Sequence, residues 1–564
     1  REDILAFGPG EGVQKRLCAG AVNGVFARGD ALANGFEAGA SAAAEAGFKA
    51  VEGKLPKTEK RTEEPAVALF QVPHDKSTAR APKQFVDLQN DVTAAGIELA
   101  TREGFESVEH VKRYTALGFG TDQGKLGNIN GLAIAARSMG ISIVQMGTTM
   151  FRPNYTPITF GAVAGRNVGP LFDPKRYTAL HRWHLAQGAE FEDVGQWKRP
   201  WYFPKNGEDL HAAVARECLA VRNSVGMLDA ATLGKIDIQG PNAREFLNRV
   251  YSNAWTKLDV GKARYGLMCK EDGMVFDDGV TARLGETHFL MHTTTGGAAN
   301  VLGHLEEYLQ TEWPEMKVFF TSVTEQWATL QLAGPKARDL LQEIAPHLDL
   351  DPAAFPFMSV QQTEVLGVPA RVFRISFTGE VSYEINVPAS YGLALWETVA
   401  TAGIKYGITP YGTEAMHVLR AERGFIIVGQ ETDGTVNPLD LGMDWIVSKK
   451  KPDFVGKRSL ERESMASPDR KQLVGLLTED PQTVLPEGGH VVEKLKPQPP
   501  MEMLGHVTSS YYSPNCGRSI AMALIKGGHA RHGQTLHVPL EDKIVKVTVT
   551  EPRFFDLEGE RING

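Results

Sequence analysis

Cysteine is nearly absent, with four in 564 residues (Cys18, Cys218, Cys269 and Cys516) and no C-x-x-C pair among them. Thiols so far apart build neither a zinc ribbon nor a disulfide framework, and the pattern fits a reducing cytosol, so a cytoplasmic location is expected. No stretch approaches the ~20 consecutive apolar residues a membrane span needs. The net charge of −8, from 60 Lys and Arg against 68 Asp and Glu, gives no surface for nucleic acid or an anionic membrane. Also missing are an initiator Met, a basic apolar leader and any G-x-G-x-x-G phosphate-binding fingerprint. The opening REDILAFGPG reads as the interior of a longer polypeptide.

At about 150 residues per domain, the length predicts three or four domains. Residues 18–50 predict a short apolar strand passing through Gly20, Asn23 and Gly24 into a helix of Ala and Gly. Such small side chains let another backbone or a dinucleotide come close, although any tightly packed α/β helix has the same look. Residues 52–83, rich in charge and proline, read as an extended linker. Residues 84–145 read as a small helical module: TAAGIELATREGFESVEHVKRYTAL gives two short helices broken at Gly104, and INGLAIAARSMG resumes as helix. A second linker covers 146–165.

Residues 166–456 alternate short strands and helices and contain an internal repeat. IDIQGPNAREFLNRV (236–250) and LQLAGPKARDLLQEI (330–344) share a strand, a Gly-Pro turn and a helix. Two copies predict an α+β domain of two related halves. Residues 457–564 read as short strands between turns, which favours an antiparallel barrel or sandwich.

Three stretches carry candidate chemistry. DGMVFDDGVTARL (272–284) leads into a hairpin, and side chains on a strand alternate between its faces. Asp277 and Asp278 therefore point to opposite sides and cannot form a dyad: one is a candidate acid/base group, the other a turn or capping carboxylate. RISFTGEVSYEINVP (374–388) puts Glu384 inside an apolar strand, where a buried carboxylate needs a partner. A ring with adjacent N–H donors, as in a pterin, would be one; otherwise Glu384 is an exposed strand residue. HVLRAERGF (417–425) is a helix ending at Gly424, on which Arg420 is either a carboxylate clamp or solvated. His181 with His184, and His529 with His532, have spacings a metal could use, but no Cys or carboxylate supports them and no metal site is expected.

These motifs resemble those that surround tetrahydrofolate in the glycine-cleavage aminomethyltransferases: an aspartate-bearing hairpin, the T-G-E strand of SFTGEVSYEI and the L-R-x-E-x-G helix of VLRAERGF. With FVDLQNDVTA, HVKRYTALGFGTDQGK and NGLAIAARSMG placed before them, the whole chain resembles the α subunits of heterotetrameric sarcosine oxidases. The implied fold class is multidomain α+β: the end of an α/β dinucleotide-binding domain (1–51), a helical module, a two-halved folate-binding aminomethyltransferase-like domain and a C-terminal antiparallel β-barrel. The resemblance puts the catalytic aspartate on Asp278 and the pterin-binding glutamate on Glu384. It puts a stacking aromatic on Phe377, where the family usually has a tyrosine hydroxyl, and further folate contacts on Tyr265 and Arg420. Gly20, Asn23 and Gly24 would then belong to a dinucleotide site, with NAD bound only if a preceding domain is present. The helical module resembles iron–sulfur modules of related amine dehydrogenases, but the four ligand positions hold Asp87, Gln89, Asp122 and Gly127. A cluster needs thiolates, so none is expected.

The implied activity is oxidative demethylation of sarcosine, with a flavin-bearing β subunit and smaller subunits as partners and FMN and FAD in or shared with a partner chain. This chain would supply tetrahydrofolate as acceptor, giving 5,10-methylenetetrahydrofolate and glycine. Competing readings are a free-standing aminomethyltransferase, a non-catalytic folate-binding scaffold, and a subunit acting on another N-methyl amino acid.

Overall fold

The computed structural model divides the chain into two units, residues 1–168 and 169–564. It describes every residue except 2, 3, 5, 50–52, 60–66, 153, 154 and 564, so parts of both linkers lie outside the described residues.

In the first unit, the strand expected through Gly20, Asn23 and Gly24 is not formed. Gly20–Asn23 is a single 3-10 turn, followed by the helix Arg28–Glu45. Gly20 (φ 73°) and Gly24 (φ 81°) take left-handed backbone, which ends any extended run. The turn is fastened to the helix by the Gly20 N–H, which donates to Asn34 Oδ1 at 2.8 Å. None of that helix's residues is buried.

The helical module opens with an antiparallel pair, β1 (Phe85–Asp87) and β2 (Val92–Thr93). The helices Ala94–Arg102, Val108–Thr115 and Asn128–Met139 follow. Thr93 caps the first, its hydroxyl accepting the Gly96 N–H, and the break falls at Gly104 (φ 96°). Ile97, Ala100, Val111, Leu117 and Ile134 form the core. The positions matched to iron–sulfur ligands are instead laced by hydrogen bonds. Asp87 accepts the N–H groups of Gln89 (2.8 Å), Asn90 (3.1 Å) and Gly118 (2.7 Å), and Gln89 Oε1 accepts that of Asp122 (3.1 Å). At Gly127 a Cβ would meet the Val86 carbonyl at 2.6 Å. A carboxylate and an amide here tie the two loops together. Among the described residues no group of three or more His, Cys, Asp or Glu converges on a metal position.

In the second unit the helix His181–Ala186 is followed by a hairpin of β3 (Glu190–Val194) and β4 (Trp197–Tyr202), the helix Leu210–Asn223 and a short strand, β5 (Gly226–Asp229). The first half then contributes β6 (Gly234–Gln239), β7 (Ala263–Cys269), β8 (Val275–Gly285) and β9 (His288–Thr293), followed by β10 (Phe319–Ser322). The second contributes β11 (Trp327–Ala333), β12 (Ser359–Val365), β13 (Val368–Arg374) and β14 (Ser382–Pro388), with the short β15 (Thr409–Pro410). The sheet orders are β10-β6-β9-β8-β7 and β12-β13-β14-β11-β5-β15.

The sequence repeat lands on β6 with the helix Ala243–Val250, and on β11 with the helix Ala337–Ile344. Both Gly-Pro turns use the same backbone. Gly240 has φ 138° and Gly334 φ 130°, and a Cβ would come within 2.2 Å of Lys317 O or 2.4 Å of Ser224 O. Only glycine fits there. The halves also exchange a strand. β10, which leads into β11 along the chain, pairs with β6; β5, which leads into β6, pairs with β11. Each sheet is thus completed by residues that introduce the other half.

The chain ends in a closed barrel of β16 (Lys471–Thr478), β17 (His490–Val492), β18 (Met503–Ser513), β19 (Arg518–Lys526), β20 (Thr535–Pro539) and β21 (Ile544–Thr550). One of them, β17, is three residues long, too short to show a period of two. Val474, Leu476, Val507, Leu536 and Val547 fill the interior. Among the described residues no helix is long and apolar enough to cross a membrane.

Candidate functional site

The two aspartates of β8 face opposite ways. Asp277 lies opposite Met268 and Asp278 opposite Leu267 in the β7–β8 register. Met268 packs on the helix side of the sheet with Phe246 and Tyr251, whereas Leu267 packs on the inner side with Ile426, Val436 and Met522. Asp277 accepts the Asp278 N–H (2.9 Å) and the Thr294 hydroxyl (3.3 Å), just before the helix Ala298–Thr311. Asp278 Oδ2 accepts the phenol of Tyr265 at 2.6 Å. Burial pushes the Asp278 carboxyl up to about 7, the negative charges of Asp277 and Glu431 adding to it and the Tyr265 hydrogen bond opposing it. Asp277 is pushed up to about 6, again by burial, with its hydrogen bonds opposing.

Glu431, which no sequence motif singled out, organises the wall beside Asp278. Its Oε2 accepts from Arg420 (2.8 Å) and from the Ile427 N–H (2.7 Å). Arg420 is fully buried. It also donates to Phe425 O (3.0 Å), Gln430 Oε1 (3.1 Å) and Ser509 Oγ (2.7 Å), so its fork is engaged by the protein and braces the loop after the helix Thr413–Glu422. The Phe425 ring that this brace holds lies nearly parallel to Phe377, at 6.2 Å and 21°. Both rings are partly exposed.

Glu384 belongs to a separate network. On β14 it faces Gln331 of β11, whose amide donates to Oε1 at 3.3 Å, while the Tyr411 hydroxyl donates to the Gln331 carbonyl at 2.7 Å. Among the described residues, Glu384 Oε2 is buried with no hydrogen-bond partner. Burial pushes its carboxyl up to about 7 and the positive charge of Lys235 opposes this. Lys235 is itself buried on two carbonyls, of Ala231 and Leu233, and is pulled down to about 8.

A buried carboxylate with an idle oxygen costs stability, and a residue kept for binding should reveal this cost when it is removed. The Glu384 carboxyl has a folded value near 7 against 4.5 in the unfolded chain, so the folded state carries the penalty fully above pH 7 and not at all below about 4. Glu384→Gln should therefore stabilise the protein at pH 8 by up to about 3 kcal/mol, at about 1.4 kcal/mol per pH unit, and leave stability at pH 4 unchanged. Urea midpoints at the two pH values check this.

Arg222 was also not legible. From the helix Leu210–Asn223 it donates to Glu380 (2.9 Å) in the T-G-E turn and to Glu422 (2.7 Å) in the L-R-x-E-x-G helix, so the glutamates of two motifs meet on one buried guanidinium. The paired histidines diverge. His184 contacts Asp229 at 3.1 Å, His181 lies against the rings of Tyr177 and Phe191, and His532 pairs with Glu551.

Residues 180–451 match the GCVT N-terminal domain, residues 471–556 the glycine cleavage T-protein C-terminal barrel domain, and residues 81–166 the sarcosine oxidase A3 domain. The aminomethyltransferase of Saccharopolyspora erythraea is 31% identical over 67% of this chain and 98% of its own length. A crystal structure of the glycine cleavage system aminomethyltransferase T from Bartonella henselae shares the fold, with a TM-score of 0.59 at 24% identity over 68% of this chain and 98% of that one. The chain belongs to the aminomethyltransferase family. Over its whole length it is more particularly a homologue of sarcosine oxidase α subunits: it is 53% identical to "Sarcosine oxidase subunit alpha" of Corynebacterium sp. (strain P-1) across 100% of this chain. It spans 58% of that relative.

Proposed function

We propose that this chain is the tetrahydrofolate-binding portion of the α subunit of a multi-subunit sarcosine oxidase. In this reading it takes the one-carbon unit released from sarcosine and forms 5,10-methylenetetrahydrofolate and glycine. The observation that carries the reading is the unpaired, buried Oε2 of Glu384, an acceptor that matches the adjacent N–H donors of a pterin. The parallel rings of Phe377 and Phe425 give a flat apolar surface for the rest of such a ligand, without the hydroxyl a tyrosine would add.

Tetrahydrofolate supplies two secondary N–H groups: both nitrogens bond to the methylene carbon, the C–N bond to glycine breaks, and the two displaced protons end on the glycine nitrogen. Asp278 is the group able to hold the positive charge of the iminium donor and to relay those protons. With its carboxyl near 7 it gains and loses a proton around neutrality, and Tyr265 fixes its direction. Glu431 and Arg420 are positioning residues. They hold the loop bearing Phe425 and Ile427 against the Asp278 side of β8.

The amine-oxidising flavins, FAD and FMN, would lie in or be shared with a β subunit, with smaller subunits completing a heterotetramer. Gly20, Asn23 and Gly24 form a turn before the helix Arg28–Glu45 and not the expected strand, so no step of this reading depends on NAD bound there. The module at 81–166 distinguishes the chain from a free-standing aminomethyltransferase, since the relative from Saccharopolyspora erythraea covers only 67% of it. Trapping formaldehyde from the assembled complex during sarcosine oxidation decides the matter, when the rate is compared with that of spontaneous condensation of added formaldehyde with tetrahydrofolate. Tetrahydrofolate should suppress free formaldehyde and yield methylene-folate in equal amount. Formaldehyde release that ignores tetrahydrofolate would show a scaffold.

A further inference from the structure

A cleft of about 360 Å³ opens on the helix side of β8, and Arg199, Asp277, Thr294, Gly297, Ile427 and Val428 are among its lining residues. Its two charged groups are unusually placed. Arg199, on β4, is only 9% exposed, yet among the described residues its guanidinium makes no hydrogen bond or ion pair, and its Nε is sealed off with no partner. Glu192, its cross-strand neighbour, and Asp229 act on it only through space. A cation buried in this way is costly unless an anion completes it. Asp277, 1% exposed, lines the same cleft and forms no ion pair with Arg199. Gly297 makes room for it, because a Cβ there would stand 2.3 Å from Asp277 Oδ2.

A cation and an anion that share a cleft without meeting are complementary to a molecule with both charges. We propose that the cleft binds a small zwitterionic amino acid, with its carboxylate on Arg199 and its cationic nitrogen on Asp277. Resting on the reading above, this is the glycine left once the one-carbon unit has been transferred. The terminal glutamate of a folate, which carries only negative charge, would be repelled by Asp277. The cleft borders an unpaired edge of β8. β9 joins β8 only from Thr281 onward, so at residues 277–278 that edge of β8 has no partner strand. Ile427, in the cleft wall, donates its N–H to Glu431 on the Asp278 side. Asp277 has a purpose beyond a capping carboxylate.

The test is calorimetry and saturation-transfer NMR on the full chain, with glycine, acetate and tetrahydrofolate as separate probes. Arg199→Met and Asp277→Asn should each weaken glycine at least about 10-fold, the loss expected for one charge-assisted contact. Acetate, which lacks the ammonium, should respond to Arg199→Met alone, and neither substitution should move tetrahydrofolate affinity by more than about 2-fold, since that ligand makes no contact with either group in this scheme. Arg199→Lys, which keeps the charge if Arg199→Met fails to fold, should retain part of the glycine binding. Glycine that does not bind the unmodified chain, or binds it and both variants equally, overturns the proposal. If Arg199→Met weakens tetrahydrofolate instead, Arg199 holds folate carboxylates: the amino-acid site falls and the folate reading stands. If tetrahydrofolate fails to bind while glycine behaves as described, the folate reading falls and the amino-acid site stands.

Discussion

Asp278→Asn should lower formation of 5,10-methylenetetrahydrofolate at least about 10²-fold, the lower end of what a positioned acid or base contributes. The missing carbon should appear as free formaldehyde. Asparagine keeps the shape and can still meet the Tyr265 hydroxyl, so the change removes charge and proton transfer while sparing the packing around β8. The pH profile carries a second signature. The carboxyl is pushed up to about 7, so in the unmodified protein the ionised form, and with it one-carbon capture, should grow as pH rises from 6 to 8 and then level off. The asparagine variant should show no such rise. Simultaneous assay of formaldehyde and methylene-folate from the assembled complex between pH 6 and 9 measures both effects. An unchanged yield in the variant would remove Asp278 from the chemistry.

The largest effect on stability should come from Arg222. Its side chain is 2% exposed and holds Glu380 and Glu422, themselves 2% and 0% exposed, at 2.9 and 2.7 Å. Arg222→Met leaves two carboxylates buried. Removing one partner of a buried ion pair costs about 3–5 kcal/mol, mostly because of the uncompensated charge left behind. Arg561, 2.6 Å from Glu380, relieves one of them, and Ser513 and Asn515 donate neutral hydrogen bonds to the other. Glu422 is thus the main source of the loss, and adding Glu422→Gln to Arg222→Met should recover part of it. Urea denaturation followed by tryptophan fluorescence reads the change as a lowered midpoint. A loss below about 1 kcal/mol, typical of an exposed pair, would mean that the site rearranges to admit water.

Several features were legible because they are local. The period of two along VFDDGV separates Asp277 from Asp278 before any fold is known, and the structure places them on opposite sides of the sheet. The Gly-Pro turns of the repeat announced two related halves, since only glycine tolerates the backbone at 240 and 334. Gly104 marked the break between two helices for the same reason. The strand expected at Gly20 failed where two left-handed glycines outweighed an apolar pattern. Arg420 read as a candidate carboxylate clamp on a helix, where most arginines are simply solvated. Its partners, Glu431 and Ser509, lie 11 and 89 residues further on, and no helical spacing announces them.

By itself the sequence determined most of the local pattern: the repeated strand–turn–helix units, where glycine must turn the chain, and that the two aspartates of β8 take opposite faces. These follow from side-chain period and backbone sterics, which act over a few residues. Only the tertiary structure decided which half completes which sheet, that Arg222 unites two distant glutamates, and that Arg199 and Asp277 share one cleft. Those outcomes depend on burial, because a charge acquires a required partner only when folding removes it from water, and which partner arrives is set by the path of the whole chain.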